Sequence, residues 1–285
     1  MPSQSLREMR RRITVRRVQV RMRTSTLRRW PDLLVIGAQR GGTTSLFRWL
    51  GQHPDVVPSL RKEVDYFTRW YQLGPDWYRA HFPLRMRRAA LTFEASPDYL
   101  LHPLAAIRAR TLLPDVKLIV LLRDPVDRAF SHHQYFSRLG IEDLDFESAI
   151  DAEPERLAGE TERLADDPFH PLDALNKFSY VTRGVYADQL ERWLDQYPRD
   201  RLLVVCSEDL YGRPLETFAA IVAFAGLRPW SPPEFSNLSF GDRRPASEPA
   251  PMSEQLRERL RERFREPNAR LRRLLGVEFT WMNSS

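Results

Sequence analysis

The sequence predicts an α/β protein: one P-loop-like domain with a central parallel β-sheet flanked by helices. Three observations predict it. From residue 33 onward, short apolar and β-branched runs alternate with stretches of helical period, as repeated βαβ units do. The first apolar run ends in a glycine-rich turn, "AQRGGTT" (38–44), that leads into a helical pattern. The run at 116–123, "VKLIVLLR", is apolar throughout its middle, as a strand covered on both faces is.

Taken in order, "LLVIG" (33–37) reads as a buried strand and "TSLFRWLGQ" (44–52) as the helix that follows it. "DVVPS" (55–59) is a short extended piece, "ALTFEAS" (90–96) another strand, and 103–113 a helix. After the strand at 116–123, Asp124 suits an N-cap and Pro125 the first helical position of "DPVDRAFSHHQYFSRL". Residues 141–175 break the composition: between 141 and 173 twelve acids face only Arg156 and Arg163, which predicts a surface helical insert or lid. The alternation resumes with a helix over 185–197, the strand "RLLVVCS" (201–207) and a helix after Pro214. Residues 235–252 are a Pro/Ser-rich loop, and 253–275 are predicted as a charged helix pair broken near Pro267.

The 285 residues suffice for one full-sized core. A single cysteine, Cys206, excludes an internal disulfide framework and a Cys-based zinc site, and its apolar surroundings predict a buried thiol. The six histidines show no metal-ligand spacing, so no metal is predicted. Apolar runs such as residues 118–122 are far short of the roughly 20 residues of a membrane span. With no signal-peptide core at the N-terminus either, the expectation is a cytoplasmic protein. Residues 1–29 hold ten arginines and one acid, Glu8, so they carry +9 of a formal net charge of +6 and leave the rest at −3. Residues 1–30 therefore read as a disordered basic arm, open to anionic partners, and 31–285 as the domain proper.

A strand that turns into a helix through "AQRGGTT" aims successive backbone N–H groups and the positive helix end at one point, which suits an anion. Gly41 and Gly42 allow close approach, Thr43 and Thr44 add hydroxyls, and Arg40 adds a two-pronged donor. A Walker loop would have lysine before its Ser/Thr; here Thr43 follows Gly42 directly, which disfavours a nucleoside triphosphate. The alternative is a glycine-rich turn with no ligand. Arg123 ends the best strand, where open α/β sheets bind ligands, and Ser131 lies eight residues on. Arg123 is equally open to a helix-start salt bridge with Asp124 or Asp127.

The loop, the R-D-P strand end and that serine resemble the sulfotransferases that use 3′-phosphoadenosine 5′-phosphosulfate (PAPS), and more narrowly the heparan sulfate sulfotransferase branch and its bacterial relatives. "VIGAQRGGTTSLFRWLGQHPDV", "KEVDYF", "WYRAHFP", "EASPDYL", "KLIVLLRDPVDRAFS", "GVYADQLERWLDQYP" and "FREPNARLRRLLGVEFTW" stand in the family's order. The resemblance spans about residues 32–281.

It implies that Arg40, Gly41, Gly42, Thr43 and Thr44 hold the 5′-phosphosulfate, with Arg40 where lysine is common. It implies that Arg123 and Ser131 bind the ribose 3′-phosphate and that Arg243 and Arg244 belong to a basic loop closing over the nucleotide. Glu63 matches the catalytic base, with Glu94, His132 and His133 as rivals. Ala95 stands where glycan-modifying relatives carry a lysine, so charge stabilisation would rest on Arg40 and the loop amides. The implied reaction moves a sulfuryl group to a hydroxyl of a carbohydrate, glycolipid or small molecule, without metal, and releases 3′,5′-ADP. The acidic insert would repel a polyanionic acceptor if it lined the cleft. Competing readings are an NTP-dependent kinase on a related fold and a non-catalytic nucleotide-binding module docked through the basic tail. No nucleic-acid partner is expected, and at most weak peripheral contact of the tail with a membrane.

Overall fold

The computed structural model describes residues 16–86, 91–236 and 251–282. Its strands are Leu33–Gly37 (β1), Val56–Pro58 (β2), Leu91–Ala95 (β3), Lys117–Leu122 (β4) and Leu202–Cys206 (β5). They form a single sheet in the order β2-β3-β1-β4-β5, parallel at every pairing. β1 is buried at every residue and β4 at all but Lys117, which is why both read as unbroken apolar runs rather than alternating ones. The chain leaves β1 toward β3 and β2 but leaves β4 toward β5, so the two central strands part company at their carboxyl ends and open a crevice there.

The first described helix, α1 (residues 16–22), leads into a tight turn at Ser25–Leu27. Here the expectation of a disordered arm fails: residues 16–29 pack on the body, while residues 1–15 lie outside the described residues. Val18, Ser25 and Arg28 are buried. Arg21 Nε donates to the Ala80 carbonyl at 2.6 Å, its Nη2 donates to the Phe82 carbonyl, and Arg28 Nη1 donates to the same Phe82 carbonyl at 3.0 Å. The chain just past helix α3 (Gly74–Arg79) leaves carbonyls without a helical partner, and the two guanidinium groups supply the missing donors.

Helix α2 (Thr43–Leu50) buries Thr43, Leu46, Trp49 and Leu50, one helical stripe, against the sheet. Trp49 meets Phe218 and Phe235 edge-on. Helix α4 (Ala105–Leu112) covers the opposite face through Ala105, Ala106 and Ala109. Helix α5 (Pro125–Arg138) begins as its sequence dictates, with Asp124 Oδ1 accepting from the Val126 and Asp127 amides at 2.8 and 3.3 Å.

The acidic insert is the surface helical insert expected, away from the cleft, with most of its acids exposed but three of them buried. Helices α6 (Phe146–Leu157), α7 (Arg163–Asp166) and α8 (Asp173–Phe178) enclose small apolar clusters around Phe146, Ile150, Leu164 and Leu175. Three of its acids are internal caps. Glu142 accepts from Arg156 and from the Tyr180 hydroxyl, both at 2.6 Å, and Glu153 accepts from the amides of Val181 and Thr182 at 2.7 and 2.8 Å. Glu160 accepts from Arg163 at 2.6 Å. Glu153 thus serves the irregular backbone after α8, which has no ladder to satisfy it.

Helices α9 (Tyr186–Leu194), α10 (Ser207–Gly212) and α11 (Pro214–Ala225) complete the layers around β5. Helix α12 is one continuous helix, Glu254–Leu275, with Pro267 inside it, not the broken pair that the proline suggested. Burial overrides the local rule: Leu256, Leu260 and Phe264 on one side of the proline, and Leu271 and Leu275 on the other, all sink into the core. Arg270 clamps the far half to α9 through Asp188 at 2.8 Å and Glu191 at 3.1 Å. An interior proline still forfeits one helical hydrogen bond. Pro267→Ala should therefore stabilise the fold by about 1–3 kcal/mol, read as a raised urea midpoint with unchanged slope.

Candidate active site

A cleft of about 660 Å³ lies at the carboxyl ends of β1 and β4. The loop after β1 is fixed before any ligand arrives. The Ala38 amide donates to the Leu121 carbonyl at 2.8 Å, extending the β1–β4 pairing, and the Gly41 amide closes a turn onto Ala38 at 2.9 Å. A Cβ on Gly41 would sit 2.6 Å from that same Leu121 carbonyl, so only glycine fits. Gly42, at φ 98°, is the N-cap of α2 and offers no capping side chain, so the positive end of the helix faces the cleft.

Arg40 also adopts a left-handed backbone, φ 69°, a conformation that costs a side-chain-bearing residue about 1–2 kcal/mol. Its side chain then crosses the cleft: Nε donates to Ser131 Oγ at 3.1 Å, and the guanidinium lies over the Tyr135 ring, 5.1 Å from its centre. Burial, and then the nearby Arg123, lower the pKa of Arg40. Arg123, Thr43 and Thr44 line the same space. Among the described residues Arg123 has no ion-pair partner: Asp127 is taken by Arg257 at 2.9 Å and Asp124 by the helix amides. Glu208 lines this wall too, but its oxygens are engaged by the Asp124 amide and the Cys206 thiol, each at 3.0 Å. Two half-buried guanidinium groups beside open amides and hydroxyls suit a multiply charged anion.

The facing wall is acidic. Glu63 and Asp65, both at positive φ (61° and 56°), flank the fully buried Val64, so their carboxylates turn together into the cleft. Lys62 lies beside them and pairs with Glu63 at 2.5 Å. Asp98, across from them, is held by the buried Arg183 at 2.8 Å. Beneath this wall Glu94 is fully buried and accepts from Tyr78, Tyr99 and Ser96 at 2.7, 2.8 and 2.7 Å. Ser96 Oγ in turn accepts from the Asp65 amide at 3.0 Å, and the Glu63 amide donates to Ala95 at 2.9 Å. Glu94 therefore props up the acidic loop from behind.

Of the four residues considered as bases, Glu63 is the one in the cleft. Glu94 lies below its floor. His132 is fully buried, its ring nitrogens at 3.2 Å from Arg128 and 2.9 Å from the Lys177 carbonyl, and His133 packs inward with Nε2 at 2.9 Å from the Leu144 carbonyl. Arg243 and Arg244 lie outside the described residues. The insert contributes nothing to the lining. Sequence reasoning did not single out Lys62, Asp65, Asp98, Tyr135 or Tyr211. The alternation of polar and apolar residues in "KEVDYF" was the available clue, since it puts Glu63 and Asp65 on one side. Among the described residues no group of His, Cys, Asp and Glu is placed to hold a metal ion.

Asp65 has its pKa raised to about 8, first by burial and then by Asp98, Glu63 and Glu94. A carboxyl whose folded pKa lies above its unfolded value of 3.8 binds its proton more tightly when folded, so stability falls as pH rises between the two values. Asp65→Asn should thus melt higher than the parent at pH 8, with the gain shrinking toward zero by pH 4 in a series of thermal melts.

The sulfotransferase domain family matches residues 30–237 of this chain. The heparan sulfate glucosamine 3-O-sulfotransferase 6 of Homo sapiens is 32% identical over 201 residues, which cover 70% of this chain and 54% of that one. The membrane-associated sulfotransferase kil1 of Dictyostelium discoideum is 24% identical over 323 residues, 89% of this chain and 67% of its own. This chain thus spans about half the length of the human relative. The crystal structure of a sulfotransferase from Alicyclobacillus acidocaldarius superposes with a TM-score of 0.70 at 29% identity, over 89% of this chain and 99% of that one. A five-stranded parallel sheet with a glycine-rich loop at the carboxyl end of its central strand, together with a family match across most of its length, makes this chain a member of the sulfotransferase domain family and an enzyme of the transferase class.

Proposed function

We propose that the chain transfers a sulfuryl group from PAPS to a hydroxyl of a sugar-containing or small-molecule acceptor. The observation that carries this reading is the Arg40–Ser131 bond: it draws the β1 loop and the start of α5 into a single cleft, with Arg123 unpaired beside them and Glu63 opposite. A donor with separate 5′ and 3′ phosphates needs two such grips, and a nucleoside triphosphate needs only one. Arg40, Thr43, Thr44 and the amides permitted by Gly41 and Gly42 would hold the phosphosulfate, and Arg123 with Ser131 the 3′-phosphate. PAPS supplies the sulfuryl group and departs as 3′,5′-ADP.

Glu63 then receives the proton that the acceptor hydroxyl loses as its oxygen bonds to sulfur. Lys62 and Arg40, on opposite sides of the cleft, supply the positive charge that balances the developing charge on the leaving oxygen, compensating for Ala95. Lys62 is engaged by Glu63, Arg183 by Asp98, and Asp65 holds its proton up to about pH 8, so this wall has no spare positive charge for a polyanion such as heparan sulfate and favours a neutral sugar or small alcohol.

Calorimetric titration tests the assignment. The protein should bind 3′,5′-ADP at micromolar levels and respond little to ATP with Mg²⁺. Arg123→Ala should weaken bisphosphate binding by roughly tenfold or more, while Glu63→Gln keeps the binding and lowers turnover by roughly 10². Equal loss of binding in both variants, or tight ATP binding with no preference for a 3′-phosphate, would overturn the roles assigned here.

A further inference from the structure

The corner where the basic segment docks carries a surface that the sulfotransferase reaction does not use. Because Val18, Arg21 and Ser25 face the body, the opposite side of α1 and the turn after it show Arg16, Arg17, Val20, Arg23 and Leu27 to solvent. A second segment joins them. The Arg29 amide donates to Pro83, Arg28 and Leu84 form an isolated antiparallel bridge, and the Arg85 amide donates to Leu27 at 2.9 Å. This sets Leu84, Arg85 and Met86 next to Leu27, all exposed, Met86 by 94% and Leu27 by 61%.

The charge here is one-sided. Arg16, Arg17, Arg23 and Arg85 have no ion-pair partner among the described residues, unlike the arginines of α12, which are laced to glutamates. The acids of this corner are already used or distant: Asp32 is held by Arg29 at 2.8 Å, and Asp76 is the acid that faces Arg79. Crowding of like charge is felt within the patch, where burial, then Arg28 and Arg17, push Arg21 down to about 10. Large exposed aliphatic side chains interspersed with unpaired arginines, on a short helix that lies flat on the body, match the interfacial zone of a bilayer. There the apolar tips enter the acyl boundary and the guanidinium groups reach phosphate.

We propose that this corner is a docking surface for an anionic lipid bilayer. Its helix lies along the edge of the sheet, where Arg17 and Arg21 stand beside residues 56–60.

Vesicle co-sedimentation of the full chain tests this, with phosphatidylcholine vesicles alone or mixed with phosphatidylglycerol. Binding should need the anionic lipid and weaken steeply with salt. The triple variant Arg17→Glu, Arg23→Glu, Arg85→Glu should lose roughly fivefold in partitioning per arginine removed, or on the order of a hundredfold in all. Its melting temperature and its affinity for 3′,5′-ADP should match the parent. Met86→Ser should weaken binding without changing the salt slope. The proposal is overturned if the triple variant binds as well as the parent, which would assign any affinity to residues 1–15. It also fails if neutral vesicles bind equally, or if the corner takes up RNA while ignoring both kinds of vesicle.

Discussion

Everything at the cleft depends on how β1 pairs with β4. The ladder continues one step past β1, from the Ala38 amide to the Leu121 carbonyl, and that step fixes where the glycine loop turns. Gly41 then lies against the same carbonyl with no room for a side chain. Arg123 follows β4 directly, so the pairing also sets the separation between the loop and the second cation. Side chains add precision, as when Arg40 reaches Ser131, but the sheet determines that the two grips share one cleft.

The cleft is polarised, and each wall has its own support. On the cationic side, backbone dipoles and arginines act in a partly desolvated space where an anion is worth more than it would be in water. On the acidic side, Glu94 lies near the carboxyl end of β3 at full burial, bonded to Tyr78, Ser96 and Tyr99 and outside the cleft lining. Burial raises its pKa while the bonds from Ser96, Tyr78 and Tyr99 oppose the rise. Through Ser96 the strand holds the left-handed turn that carries Glu63 and Asp65. A buried acid thus positions an exposed one.

Arginine takes on structural work throughout this chain, which has three lysines against 41 arginines. Arg21, Arg28, Arg108 and Arg183 are each part-buried or buried and satisfy carbonyls or a carboxylate in places where helices end or loops cross. A planar fork can meet two acceptors at once, which an ammonium meets less well. Among the described residues the same bias leaves guanidinium groups without an acidic partner at the cleft and at the α1 corner.

Much of this was legible along the chain. Five strands, the glycine loop, the Asp124–Pro125 helix start and Arg123 at a strand end are local patterns, set by burial periodicity and turn chemistry within a few residues. The placement of Glu63 followed from its family motif and that of Asp65 from the alternation around it, but that Asp98 stands with them did not, because it comes from the loop after β3, which the sheet sets beside β2. Three expectations fell short, wholly or in part, for one reason. Pro267 sits inside a continuous helix, the acidic insert folds around buried glutamates, and residues 16–29 pack instead of trailing free. In each, composition described what the segment does in water, whereas its partners were distant in sequence: the core on both sides of Pro267, the backbone at 181–182, the carbonyls at 80 and 82. The sequence by itself determined the elements and the anion-binding chemistry of the loop. Only the tertiary structure decided which charges are paired and which remain free, since a charge is neutralised by what lies within a few ångströms in space and not by its neighbours along the chain.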